Sequence, residues 1–185
     1  MLCHAITNVL PWGPNEGLER IDSCLSRSGS TGFSLPWESY ELEDDGEHFT
    51  KRAYRNFARD LLTALPTNAS SYYLVADSTV DWHNWSDDGE WTGWANSVLQ
   101  ETFQTHVPHI PTIIDAVGGT GFVAGNGHHY YTRISNALRT GSANGDTTFV
   151  LMGGWNDVRE GDARVKVACG SIQSIADVVS RYAGV

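Results

Sequence analysis

Tyr72-Tyr73-Leu74-Val75-Ala76-Asp77-Ser78 decides how this 185-residue chain is read. Its first five residues form a continuous aromatic and apolar run, the pattern of a strand covered on both faces in the middle of a parallel sheet. The two residues that follow are polar, so the strand delivers Asp77 and Ser78 to its carboxyl end. Ligand sites of open α/β sheets gather beyond that end of the strands.

Working outward, the same alternation of strand-like and helix-like segments covers the chain. Cys3 to Leu10 reads as a first strand, closed by Pro11-Trp12-Gly13-Pro14, and Asn15 to Arg27 as a helix with Leu18, Ile21 and Leu25 on one stripe. Thr31 to Leu35 is a short second strand. Thr50 is placed to cap a helix whose Ala53, Phe57, Leu61 and Leu65 recur at spacing four. Beyond Ser78 come a helix from Gly93 to Thr105, a strand from Thr112 to Val117, and a helix from His128 to Leu138. A strand from Thr147 to Met152 and a helix from Arg164 to Tyr182 complete the pattern. Strands alternating with helices predict an α/β fold with helices on both faces of the sheet.

Composition bounds the function. With 41% apolar residues the chain fits one globular domain, 1–185, and no stretch approaches the roughly 20 apolar residues of a membrane span. A net charge of −10 disfavours a general basic surface for nucleic acid. The segment Met1 to Thr7 lacks the basic and apolar regions of a signal peptide, and compartment and oligomeric state stay open. Cys3, Cys24 and Cys169 are too scattered for a metal site and too few for a disulfide scaffold, and are expected as free thiols.

Each strand ends near a chemically suggestive turn. A serine hydroxyl is a poor nucleophile at neutral pH, so Ser78 needs a base and a site that stabilises an oxyanion. His48 is the candidate base, and Asp45, three positions earlier, the group that fixes its tautomer. In Val117-Gly118-Gly119-Thr120-Gly121-Phe122, Gly119 offers an unobstructed backbone N–H. In Gly153-Gly154-Trp155-Asn156-Asp157, Asn156 offers an amide donor and Asp157 structural support. The Ser78 N–H is a third donor.

Ala76-Asp77-Ser78, Gly118-Gly119-Thr120-Gly121, Gly154-Trp155-Asn156-Asp157 and Asp45-Gly46-Glu47-His48 together resemble the four blocks of the SGNH (GDSL-type) serine esterases. The resemblance implies Ser78 as nucleophile, His48 and Asp45 as the rest of the triad, and Gly119, Asn156 and Ser78 as the oxyanion hole. Two departures stand out: Ala76 replaces the family's glycine, and the Asp-x-x-His block precedes the Ser block instead of ending the chain. A circular permutation accounts for the order. Residues 1–65 then correspond to the usual C-terminal part, 66–70 to a connector and 71–185 to the usual N-terminal part. The implied fold is a three-layer α/β/α sandwich, flavodoxin-like, with five parallel strands. Numbered along this chain their order is 4-3-5-1-2, which puts the Cys3 strand inside the sheet.

The implied activity is cofactor-independent hydrolysis of carboxylic esters, of short acyl groups such as acetyl, with a small molecule or a glycan as the alcohol. Trp82, Trp85, Trp91 and Trp94 crowd the segment after Ser78; Trp82 and Trp85, with Trp155 beside Asn156, are the candidate substrate neighbours. No metal is expected, because His128 and His129 diverge on a helix and lack further ligands at suitable spacing. The alternative is a non-catalytic SGNH-like module for carbohydrate binding or assembly.

Overall fold

The computed structural model describes residues 1–5, 15–42, 49–80, 84–85, 91–92, 94–125, 127–159 and 161–184. In chain order these form β1 (Leu2–Ala5), α1 (Asn15–Arg27), β2 (Thr31–Gly32), a 3-10 turn (Trp37–Ser39), α2 (Lys51–Ala64) and β3 (Ser71–Ala76). The small pair β4 (Asn84–Trp85) and β5 (Trp91–Thr92) precedes α3 (Trp94–His106) and β6 (Thr112–Ala116). Then follow α4 (Tyr130–Thr140), β7 (Thr147–Met152), α5 (Trp155–Val158) and α6 (Asp162–Ala183).

Five strands make one parallel sheet in the order β2-β1-β7-β3-β6. The fold is therefore α/β. β1 lies inside the sheet, in register with β7 from Leu2 opposite Phe149 to Ala5 opposite Met152.

Alternation along the central strands feeds two cores. Tyr73 and Val75 of β3 and Phe149 and Leu151 of β7 pack with Leu18, Ile21 and Leu25 of α1, Ile134 of α4 and Ile172 of α6. Their neighbours Tyr72, Leu74, Ala76, Val150 and Met152 point the other way, onto Phe57 and Leu61 of α2 and Leu99 and Phe103 of α3. A side-chain period of two thus places one helix layer on each face. Each fully buried Leu, Ile or Phe contributes about 1.5–3 kcal/mol.

Local chemistry sets the element boundaries. Thr50 caps α2, its hydroxyl accepting from the Ala53 N–H at 3.2 Å. α4 starts at Tyr130 rather than at the expected His128, because His129 takes the extended capping conformation and its Nδ1 accepts from the Thr132 N–H. β2 is shorter than expected: Phe33 still donates to the His4 carbonyl, then the chain turns through Pro36 into the 3-10 turn. The remainder of the expected first strand, beyond Ala5, lies outside the described residues.

The free-thiol reading of Cys24 and Cys169 is corrected. The two are joined by a disulfide with 5.5 Å between Cα atoms, tying α1 to α6 across 145 positions of sequence. Cysteine spacing carries no signal of this pairing, because α1 and α6 become neighbours only once both dock on the same face of the sheet. Cys3 is free and buried.

Candidate active site

β3 ends at Ala76, whose side chain is fully buried in the α2–α3 core. The chain then folds into a turn closed by the Val80 N–H donating to the Asp77 carbonyl at 3.1 Å. Asp77, 1% exposed, braces the turn from inside: its Oδ1 accepts from the Thr79 N–H at 2.9 Å and from the Thr79 hydroxyl at 2.8 Å. Ser78 is left half-buried at the apex.

The neighbouring strands bring the other two blocks to the same end of the sheet. After β7, Gly153 and Gly154 both have positive φ, at 134° and 112°. At Gly153 a side chain would also run into the Tyr130 hydroxyl and the Asp77 carboxylate, so only glycine fits. This turn starts α5, from which the Asn156 Nδ2 donates to the Thr120 carbonyl at 2.9 Å and approaches Asp77 Oδ2 at 3.5 Å. Asn156 therefore touches both the Ser block and the glycine block.

Asp157, fully buried, accepts from the Phe122, Val123 and Ala124 N–H groups at 2.8, 2.9 and 3.1 Å. Burial raises its pKa, and these three amides and Arg164 oppose the rise. Gly121 is required here because a side chain would collide with that carboxylate. The loop after β6 is thereby pinned, while Gly119 at its tip is exposed in the left-handed region, φ 71°. No acceptor among the described residues takes the Gly119 N–H.

Arg133 supports the loops after β3 and β6 from below, and sequence reasoning missed it. It is 7% exposed; its Nη1 donates to the Ala76 carbonyl at 3.0 Å and to Thr120 Oγ1 at 3.1 Å. Its Nε donates to Asp115 Oδ1 at 3.1 Å, and Nη2 reaches the Asp115 carbonyl. A buried guanidinium is tolerated only when paired and hydrogen-bonded in this way. The available signal was an arginine at position 133 in the stripe Tyr130, Ile134, Ala137, Leu138, which is otherwise apolar.

Of the expected site residues, Ser78, Gly119 and Asn156 stand on the turns after the adjacent strands β3, β6 and β7. Asp45, His48 and Trp82 lie outside the described residues, as does the side chain of Trp85. Trp155 is half-buried, packed against the α1–α6 core with the Arg159 guanidinium 5.9 Å from its ring centre. Among the described residues no three His, Cys, Asp or Glu side chains gather to hold a metal ion, and no helix is long and apolar enough to cross a membrane.

Among the described residues a serine–histidine–carboxylate chain is formed away from Ser78, around His4. His4 Nδ1 is 2.8 Å from Ser30 Oγ, and His4 Nε2 is 3.0 Å from Asp22 Oδ1. His4 is 1% and Ser30 7% exposed. Burial lowers the His4 pKa, against the opposing pull of Asp22. No family model matches this chain, and neither does any curated protein or solved structure.

Proposed function

We propose that this chain is a serine-dependent carboxylic ester hydrolase of SGNH type, circularly permuted, acting through an acyl-enzyme. The observation that carries the reading is the meeting of three blocks at one end of the sheet. Ser78 stands at a braced, half-exposed apex, the exposed Gly119 N–H lies on the next loop, and Asn156 bridges the two. The strand order supports it as well. Numbering the five sheet strands along the chain gives 4-3-5-1-2, the order that the permuted family pattern requires.

For His48 the support is indirect. α2 feeds into β3 through 65–70, so α2 begins at the end of the sheet where β3 finishes, and Phe49 and Thr50 follow His48 at that point. Phe49 shares a core cluster with Ala76 and Val80, which flank Ser78.

In the proposed reaction the Ser78 oxygen attacks the ester carbonyl carbon while His48 takes the hydroxyl proton and Asp45 orients the imidazole. The tetrahedral oxyanion is held by the N–H groups of Gly119 and Ser78 and the Asn156 amide. Collapse expels the alcohol, protonated by His48. Water, deprotonated by the same imidazole, then attacks the acyl carbon and releases the acid, returning Ser78 to its free form.

Hydrolysis of a chromogenic acetyl ester by the wild type, abolished in Ser78→Ala, is the expected outcome. Equal rates in both proteins across several acyl lengths overturn it in favour of a non-catalytic carbohydrate-binding or assembly module.

A further inference from the structure

The chain carries 22 acidic residues against 12 Lys and Arg, yet four of those twelve fall on one helix. Lys51, Arg52, Arg55 and Arg59 of α2 are all exposed, and none of their side chains has an ion-pair or hydrogen-bond partner among the described residues. Several cations elsewhere are engaged: Arg20 with Asp162 at 2.8 Å, Arg133 with Asp115, Arg159 against Trp155. The one acid of α2, Asp60, accepts from the Tyr40 hydroxyl at 2.7 Å. Lys51, Arg55 and Arg59 recur at spacing four and so form a single positive stripe about 12 Å long.

Polar grooves flank that stripe. Between α2 and α3 lies one of about 200 Å³, where Arg55 and Arg59 face Thr102, Thr105 and His106, with Glu101 as its single carboxylate. On the other side Arg52 and Asn56 face Ser39 and Glu41 across a groove of about 270 Å³. Guanidinium groups beside hydroxyls and an amide suit a ligand bearing both carboxylates and hydroxyls. An acidic peptide would want apolar anchor pockets, and these grooves offer only Val98 and Ala53. Single-stranded nucleic acid would want a series of aromatic stacking platforms, and the two grooves offer a single ring, His106.

We propose that α2 and its flanking grooves bind an acidic polysaccharide, a chain of uronic acid units, and lead it towards Ser78. The stripe starts beside Thr50, at the end of the sheet where the Ser78 turn lies, so a polymer lying along α2 runs up to that turn. The disulfide between α1 and α6 suits the oxidising surroundings in which such polymers are met. The guiding role rests on the esterase reading; binding itself does not.

The test uses polygalacturonate as probe in affinity electrophoresis, with all proteins on a Ser78→Ala background so that no turnover is read. Expected are retardation by polygalacturonate but not by neutral dextran, and binding about tenfold weaker at 300 mM than at 20 mM salt. Arg55→Glu/Arg59→Glu should lose at least tenfold in affinity, and Arg55→Gln/Arg59→Gln should lose it too with an unchanged circular dichroism melt. Lys166→Glu/Arg181→Glu, charge reversals on α6, should bind as the parent does. Unaltered binding in both α2 variants, equal retardation by dextran, or tighter binding of polyglutamate or of an oligonucleotide overturns the proposal. Loss of polymer binding leaves the esterase reading standing. Undiminished hydrolysis of the small acetyl ester by Ser78→Ala ends that reading and leaves the binding surface intact.

Discussion

Two serines invite comparison as nucleophiles, and they are opposites. Ser30 has the complete hydrogen-bonded chain to His4 and Asp22 but is buried. It also follows the C-terminus of α1, where its own N–H is spent on the Leu25 carbonyl. Helix carbonyls and the negative end of the dipole would repel an oxyanion there. Ser78 forms no hydrogen bond among the described residues, yet it stands half-exposed between an open glycine N–H and an asparagine amide. The contrast teaches that a triad's connectivity is cheap in a protein interior, where every buried polar group must find partners. What a nucleophile requires in addition is access and a place for negative charge.

The largest effect that breaks or upholds this contrast is on turnover. Ser78→Ala should lower kcat/KM for an acetyl ester by about 10⁴-fold or more, whereas Ser30→Ala should change it by less than about twofold. Mapping a serine-directed organophosphonate to Ser30 instead of Ser78 would invert the assignment.

Next in size is the oxyanion donor. Asn156→Ala should lower kcat by about 10²–10³-fold, about 2.7–4 kcal/mol in the barrier, with KM little changed. The glycine loop should keep its place in this variant, because Asp157 holds three of its amides independently. Asn156→Ala at wild-type kcat would assign the amide to bracing Thr120 and Asp77 only.

The two regions also differ in how legible they were. The Asn15–Arg27 helix and the Thr147–Met152 strand can be drawn from sequence, because Leu18, Ile21 and Leu25 keep one stripe and Thr147 to Met152 is flanked by turn residues. Thr50 announces α2 by its own side chain. The positions of Ser78, Gly119 and Asn156 follow from the strands that precede them. What escaped depends on partners distant in the chain. Arg133 reads as an ordinary helix residue until Asp115 and the Ala76 carbonyl arrive beside it. His4 is a lone histidine in a short strand until α1 supplies Asp22. The Cys24–Cys169 bond needs two helices from opposite ends of the sequence.

That disulfide gives the third effect, confined to the Ser30 side. Reducing it, or Cys24→Ser/Cys169→Ser, should cost about 2–4 kcal/mol in denaturant unfolding, with ester hydrolysis retained below the transition. A loss of turnover at full foldedness would show that α1 and α6 reach the Ser78 turn more directly than packing suggests.

The smallest effect separates the histidines by pH. His4 has its pKa lowered by burial, so between about 6.5 and its folded value the unfolded chain takes up a proton that the native protein refuses. Native stability should therefore fall as pH drops through this window, by at most about 1.4 kcal/mol per pH unit, and level off below the folded pKa. His4→Gln, which keeps hydrogen-bonding capacity without titrating, should flatten that slope in urea midpoints measured from pH 7 to 5. Its kcat profile should stay as in the wild type, since His4 contacts Ser30 and Asp22 and not Ser78. A shifted kcat profile in His4→Gln would join the two regions that the structure keeps apart, and would make the buried chain part of the chemistry.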